Sequence, residues 1–260
     1  FSPPNMEAFR TAVIYNNTDG TGRGFLGMSG SHTLERFINQ VARDIDDPQT
    51  DLTVGERARA LRKASGNAKT RNEANAGRDL RIGALGSGSD YTPFFQHLGI
   101  PALNLGFGGE SGGGAYHSAY DTYEHYSRFG DPGFHYGVTL SKVTGHSVLR
   151  LVNSDYLPFE FDNFVDTVEM YFKEVQALLE STREKTVREN RLIREGVYAA
   201  IADPTKQVNI PEPKDDVPYL NFAPLQNAIS SVKQKAKAYG ISYWMHAQSG
   251  KVLDKDGLAK

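Results

Sequence analysis

A chain of 260 residues with 39% apolar and 23% charged side chains can bury a real core, which excludes a disordered segment. Its net charge of −2, with Lys and Arg dispersed, offers no basic stripe for nucleic acid. There is no cysteine, so disulfides and thiolate metal sites are excluded, and no apolar run approaches the ~18–20 residues of a membrane span. The opening Phe1-Ser2-Pro3-Pro4 has neither the basic nor the apolar region of a signal peptide and no initiator Met. The expectation is a chain that starts inside a longer protein.

In chain order, residues 12–18 read as a short buried strand ending at Asp19. The glycines of 20–24 mark a loop. Leu34, Phe37, Ile38, Val41 and Ile45 recur at spacings of three and four, the mark of an amphipathic helix with Ser31 as its cap. Residues 55–64 read as a short charged helix and 65–78 as a polar surface loop. A strand over 81–85, a tight loop over 86–90, a helix over 91–98 and a strand over 101–105 follow. Strands alternating with helices predict an α/β fold, a mixed sheet flanked by helices. In such sheets ligands sit at the carboxyl ends of strands, where Asp19, the Gly-Ser loop and the segment after Leu105 all fall. Residues 106–114 hold six glycines and predict a loop, either a plain connector or one that lies against a ligand.

A helix is expected over 132–153. Beyond Leu157-Pro158-Phe159 the pattern becomes all-helical: one helix through Phe161 to Leu179, another over 187–200, a Pro- and Asp-rich linker over 203–218, and a last helix through Leu225 to Ala236. The boundary is placed near residue 156, giving domains 1–155 and 156–260.

Three places can carry chemistry. His117 offers an imidazole suited to zinc, although a lone histidine is more often structural, and Ser118 with Asp121 can instead cap the next helix. Asp19 offers a carboxylate beside a glycine loop, yet Asp-Gly is also a common turn pair. The N–H groups of Gly86-Ser87-Gly88-Ser89-Asp90 can hold a carboxylate or carbonyl oxygen, or simply open a helix. No phosphate-loop or dinucleotide fingerprint and no nucleophile elbow with an evident partner order is present, so a serine hydrolase is not expected. His-x-Asp and Glu-Glu are absent too, leaving any metal site in this chain incomplete.

Taken together, these residues resemble the glutamate carboxypeptidase II and transferrin receptor family of co-catalytic zinc exopeptidases, C-terminal portion. Four blocks occur in the family's order: Asn17-Thr18-Asp19; Leu85 to Tyr91 with Phe94 to Ile100; Tyr116-His117-Ser118 with Tyr120 to Glu124; and Leu157-Pro158-Phe159, which resembles the lead-in to a helical dimerisation domain. The resemblance implies an incomplete zinc exopeptidase-like domain followed by that helical domain. It implies that Asp19 binds one zinc and His117 the other of two ions, with both side chains facing one cavity. It also implies that Tyr116 donates its hydroxyl to the developing oxyanion, that Gly88 and Ser89 contact the substrate backbone, and that Asp90 supports their loop. The family's other ligands and its general base lie upstream, so the isolated chain is expected to be inactive, since a catalytic zinc needs about three protein ligands.

The implied activity is a di-zinc, carboxypeptidase-like metallopeptidase acting on a terminal bond of small peptides. Aminopeptidase activity, or a non-catalytic receptor or scaffold, is the alternative. The implied partners are a peptide and a second copy of the chain, and the implied setting is extracytoplasmic, with any membrane anchor upstream. One departure concerns specificity. Glutamate-selective relatives place arginines after the Gly-Ile block, whereas residues 101–116 contain no Arg or Lys and one acid, Glu110. A neutral or basic substrate side chain is expected instead of an acidic one.

Overall fold

A computed structural model describes residues 11–110, 115–207 and 209–249. It is mostly helical around a small mixed sheet. The strands are β1 (Tyr15–Asn17), β2 (Gly24–Gly30) and β3 (Ala102–Gly109), in the order β1-β3-β2. β1 runs parallel to β3, with Asn17 opposite Asn104, and β2 runs antiparallel to it, with Gly24 opposite Gly109. The mixed sheet with helices against it matches the expectation, on three strands.

Alternation builds this sheet. Leu103, Leu105 and Phe107 of β3 and Leu26 and Met28 of β2 are buried at every second position. Onto them pack α1 (Glu35–Arg43), α2 (Val54–Ser65) and α4 (His135–Val152), while α3 (Ala68–Asn75) lies against α2. The stripe Leu34, Phe37, Ile38 and Val41 is at most 4% exposed, as its spacing requires. Tyr136, Leu140 and Val143 continue the same core.

Several local expectations are corrected. Ser31 does not cap α1 through its side chain; its hydroxyl accepts from the Ala102 N–H at 3.1 Å, and a 3₁₀ turn over His32–Leu34 leads into the helix. Residues 81–85 form no continuous strand. Gly83 makes a single bridge to Ser29, while the side chains of Asn39 and Glu35 accept from the Leu80 and Ile82 N–H groups in place of a neighbouring strand. The polar stretch 65–78 contains α3, opened by Asn67, whose side chain accepts from the Thr70 N–H. The glycines from 106 to 109 belong to β3, and residues 111–114 of the expected glycine loop lie outside the described residues.

The chain divides into two compact units, Phe1–Phe164 with Lys237–Lys260, and Val165–Ala236. The second is built from parts of two long helices, α5 (Phe161–Arg194) and α6 (Ala223–Ser249). α5 runs unbroken through 180–186, where neither Gly nor Pro interrupts a run of helix formers, and stops before Gly196 at φ 71°. Within this unit Phe172 meets Phe222 edge to face. Asn190 exchanges two hydrogen bonds with the Lys214 backbone, and Lys233 pairs with Glu169 at 2.7 Å. Among the described residues no helix is long and apolar enough to cross a membrane.

Candidate functional site

The sheet positions one wall of a cavity of about 570 Å³. β1 ends at Asn17, whose side-chain amide donates to Asn104 Oδ1 on β3 at 3.0 Å and to Ser89 Oγ at 3.1 Å. Ser89 in turn donates to Asp19 Oδ2 at 2.5 Å. A chain of hydrogen bonds therefore runs from the middle of the sheet to the exposed carboxylate, through the Gly-Ser loop. Ring stacking of Tyr15 on Phe94, with centroids 4.1 Å apart, ties β1 to the helical stretch that follows this loop. Burial, then the nearby Asp90 and Asp19 carboxylates, push the Tyr15 phenol above its ordinary range.

The Gly-Ser loop itself is occupied. The Gly88 and Ser89 N–H groups both donate to Thr92 Oγ1, at 3.2 and 3.4 Å, and the Ser89 hydroxyl is spent on Asp19. After Asp19, the turn Gly20 to Arg23 lies on β3: Gly22 N–H donates to the Phe107 carbonyl at 2.9 Å. A side-chain carbon on Gly106 would stand 2.6 Å from the Gly20 carbonyl oxygen, so only glycine permits this approach.

The opposite wall comes from Ala115, Tyr116, Asp121, Thr122, His125, Tyr126, Phe129 and Gly130, of which Tyr116 is 78% exposed. It is built of short local turns. Thr122, not Ser118 with Asp121, caps the single helical turn Tyr123–His125 by accepting from the His125 N–H. The Ser118 hydroxyl donates to the Ala115 carbonyl and accepts from the Tyr120 N–H. A π-helical stretch, Tyr126–Gly130, completes the wall. Burial, then Asp131, pushes the Tyr126 phenol up to about 12.

Asp19 and Tyr116 thus share a cavity. His117 does not line it: exposed, with φ 57°, it stacks on Tyr116 with ring centroids 3.8 Å apart. Among the described residues no three His, Cys, Asp or Glu side chains converge to hold a metal. Asp19 supplies a carboxylate oriented by Ser89 and His117 an imidazole, which are ligand types zinc accepts, but together they form only part of a coordination sphere.

Glu110, the one acid noted over 101–116, lines the cavity; sequence reasoning missed Arg23 as a cavity residue and Arg57 behind them. Arg57 is 8% exposed. Its Nη1 donates to both Asp47 oxygens at 2.9 and 3.0 Å and reaches the Tyr136 hydroxyl. Its Nη2 contacts the Glu110 carboxylate and donates to Gln49 at 3.2 Å, while the guanidinium lies 4.8 Å from the Phe25 ring centre. No local motif announces this cluster, because its members are scattered from 25 to 136.

No family model matches the chain. It is 30% identical to Probable glutamate carboxypeptidase VP8 of Zea mays over 176 residues, 67% of this chain and 23% of that protein. It is 34% identical to Probable glutamate carboxypeptidase LAMP1 of Arabidopsis thaliana over 156 residues, 59% of this chain and 20% of that protein. Aminopeptidase NAALADL1 of Mus musculus is 31% identical over 110 residues, 40% of this chain and 15% of that protein. The chain spans about a fifth of the length of the first two. With the strand-end Asp19, the Gly-Ser block and the Tyr116-His117 block in place, the chain is partly homologous to the glutamate carboxypeptidase and NAALADL1 aminopeptidase family, of whose members it covers a portion.

Proposed function

We propose that the complete protein is a di-zinc metallo-exopeptidase that cleaves a terminal bond of small peptides in a carboxypeptidase-like reaction, and that this chain supplies part of its catalytic domain. The observation that carries this reading is the strand-end carboxylate Asp19, held by Ser89 and facing the same cavity as Tyr116. In this reading Asp19 holds one metal and His117 the other. Two bound zinc ions would supply a nucleophilic water at neutral pH and polarise the scissile carbonyl. Ser89 fixes the Asp19 carboxylate through one oxygen, and Asn17 fixes Ser89 from the sheet. The Tyr116 hydroxyl donates to the oxygen on which charge develops. Gly88, Ser89 and Asp90 form the loop over which the peptide backbone lies. Residues 156–260 serve as a dimerisation domain, and the protein works outside the cytoplasm.

An aminopeptidase is the second reading. Two observations favour it: the similarity to NAALADL1, and the lack of any Arg or Lys over 101–116 to hold an acidic side chain.

The test is His117→Ala in the complete protein. Turnover of peptide substrates should be lost and bound zinc should fall below the roughly two ions per chain of a two-metal site, with the far-ultraviolet circular dichroism unchanged. Undiminished turnover removes His117 from the ligand set.

A further inference from the structure

We infer that Glu110, held by the buried Arg57, is a specificity-determining residue that selects peptides carrying a cationic side chain, lysyl or arginyl, in the cavity beside Asp19. The inference rests on the peptidase reading above and names its substrate class.

Arg57 serves two carboxylates with one positive charge. Asp47 takes it in a two-oxygen arrangement and keeps only 1% of its side chain accessible. Glu110 meets the other nitrogen and keeps 29% accessible. The cluster therefore carries one negative charge in surplus, and its accessible member lines the cavity. Packing holds Glu110 in place: Arg57 lies over Phe25, its Nη1 reaches Tyr136 inside the core, and the Glu110 N–H donates to the Arg23 carbonyl at 3.1 Å.

The rest of the lining points the same way. Asp19 and Asp121 are acidic, His125 is the imidazole on the opposite wall, and Arg23 is the cation among the described lining residues. One Nη of Arg23 donates to the Phe129 carbonyl at 3.3 Å, which ties its guanidinium to the wall. With Asp19 given to a metal, two carboxylates, Glu110 and Asp121, face one guanidinium. An acidic substrate side chain would meet net repulsion there. A neutral one would leave uncompensated the surplus charge of the cluster, which a lysyl or arginyl group would balance at the accessible face of Glu110.

The experiment compares kcat/KM for paired peptides that differ only by Lys or Gln at one position, in the complete protein and in Glu110→Gln. The wild type should favour Lys, and the Lys-to-Gln ratio should fall about tenfold or more in the variant, as expected for loss of a charge-assisted hydrogen bond. The same ratio in both proteins would overturn the inference. If Glu110→Gln does not fold, Glu110→Asp keeps the charge and should keep the preference; its loss in a folded Glu110→Asp protein counts against the assignment. If the wild type cleaves no peptide, the peptidase reading fails, and calorimetric binding of a lysyl and a glutaminyl dipeptide reads Glu110 by itself. Lysyl-selective binding that disappears in Glu110→Gln upholds the role of Glu110, and equal binding of the two dipeptides to the wild type refutes it.

Discussion

Asp19 and Tyr116 face one cavity, yet they are held in different ways. Asp19 stands at the end of a hydrogen-bonded series that begins at Asn104 in the central strand and passes through Asn17 and Ser89. Tyr116 stands 78% exposed on a segment whose contacts are mostly to its own neighbours in sequence, such as Ser118 with Ala115 and Thr122 with His125. Long-range bonds fix the first wall at the cost of ordering the sheet, which the core already requires. Local turns build most of the second wall, which Arg23 ties to the first at the Phe129 and Gly130 carbonyls, and segments held by local contacts open at low free energy. Of the two walls, the Asp19 side is therefore the better preorganised.

The largest effect should come from the sheet-side wall. Arg57→Met leaves Asp47 buried without its partner and should destabilise the protein by about 3–5 kcal/mol, read from urea denaturation. A loss near that of an ordinary surface substitution would mean the cluster does not anchor this wall. Next comes Ser89→Ala, which frees the Asp19 carboxylate to rotate and should lower kcat/KM and zinc affinity by about 10–100-fold with little change in melting. Ser118→Ala, which removes only a local turn contact, should cost less; equal losses would erase the distinction between the walls. The smallest effect is a titration on the turn-built wall. The Tyr126 phenol is pushed up to about 12 from an ordinary 10.0, first by burial and then by Asp131. Because the folded value lies above the unfolded one, its contribution to stability is intact below the unfolded value and is lost as pH rises toward about 12. Spectrophotometric titration should show one late-ionising phenol that Tyr126→Phe removes.

Legibility in the sequence followed the same division. Helix α1 could be read from Leu34, Phe37, Ile38 and Val41, since burial on one face imposes a period that survives in sequence. β3 was legible at its start but not through Gly109, because glycine carries no alternating side-chain signal. β2 was missed for a similar reason: three of its seven residues are glycine. Helix α3 has almost no apolar face, with Ala74 its one buried residue, and its only signature was the cap at Asn67. At the site, Asp19, Ser89 and Tyr116 were visible as members of ordered blocks. Glu110 was visible as a lone acid, but its link to Arg57 and Asp47 was hidden, because that association arises only when residues 47, 57 and 110 meet in space. Nor did the sequence show that Thr92 would take the Gly88 and Ser89 amide protons.

The bare α-carbon of Gly106 has a consequence for how this cleft can change. The Gly20 carbonyl rests where a methyl group would be, so the carboxylate one residue earlier is set in height by contact between two stretches of main chain. Side-chain exchange around the cavity can retune charge and shape while that height stays constant. The strand thus acts as a gauge block against which the acid is seated, and the chemistry can drift on every side of it except the one where nothing protrudes.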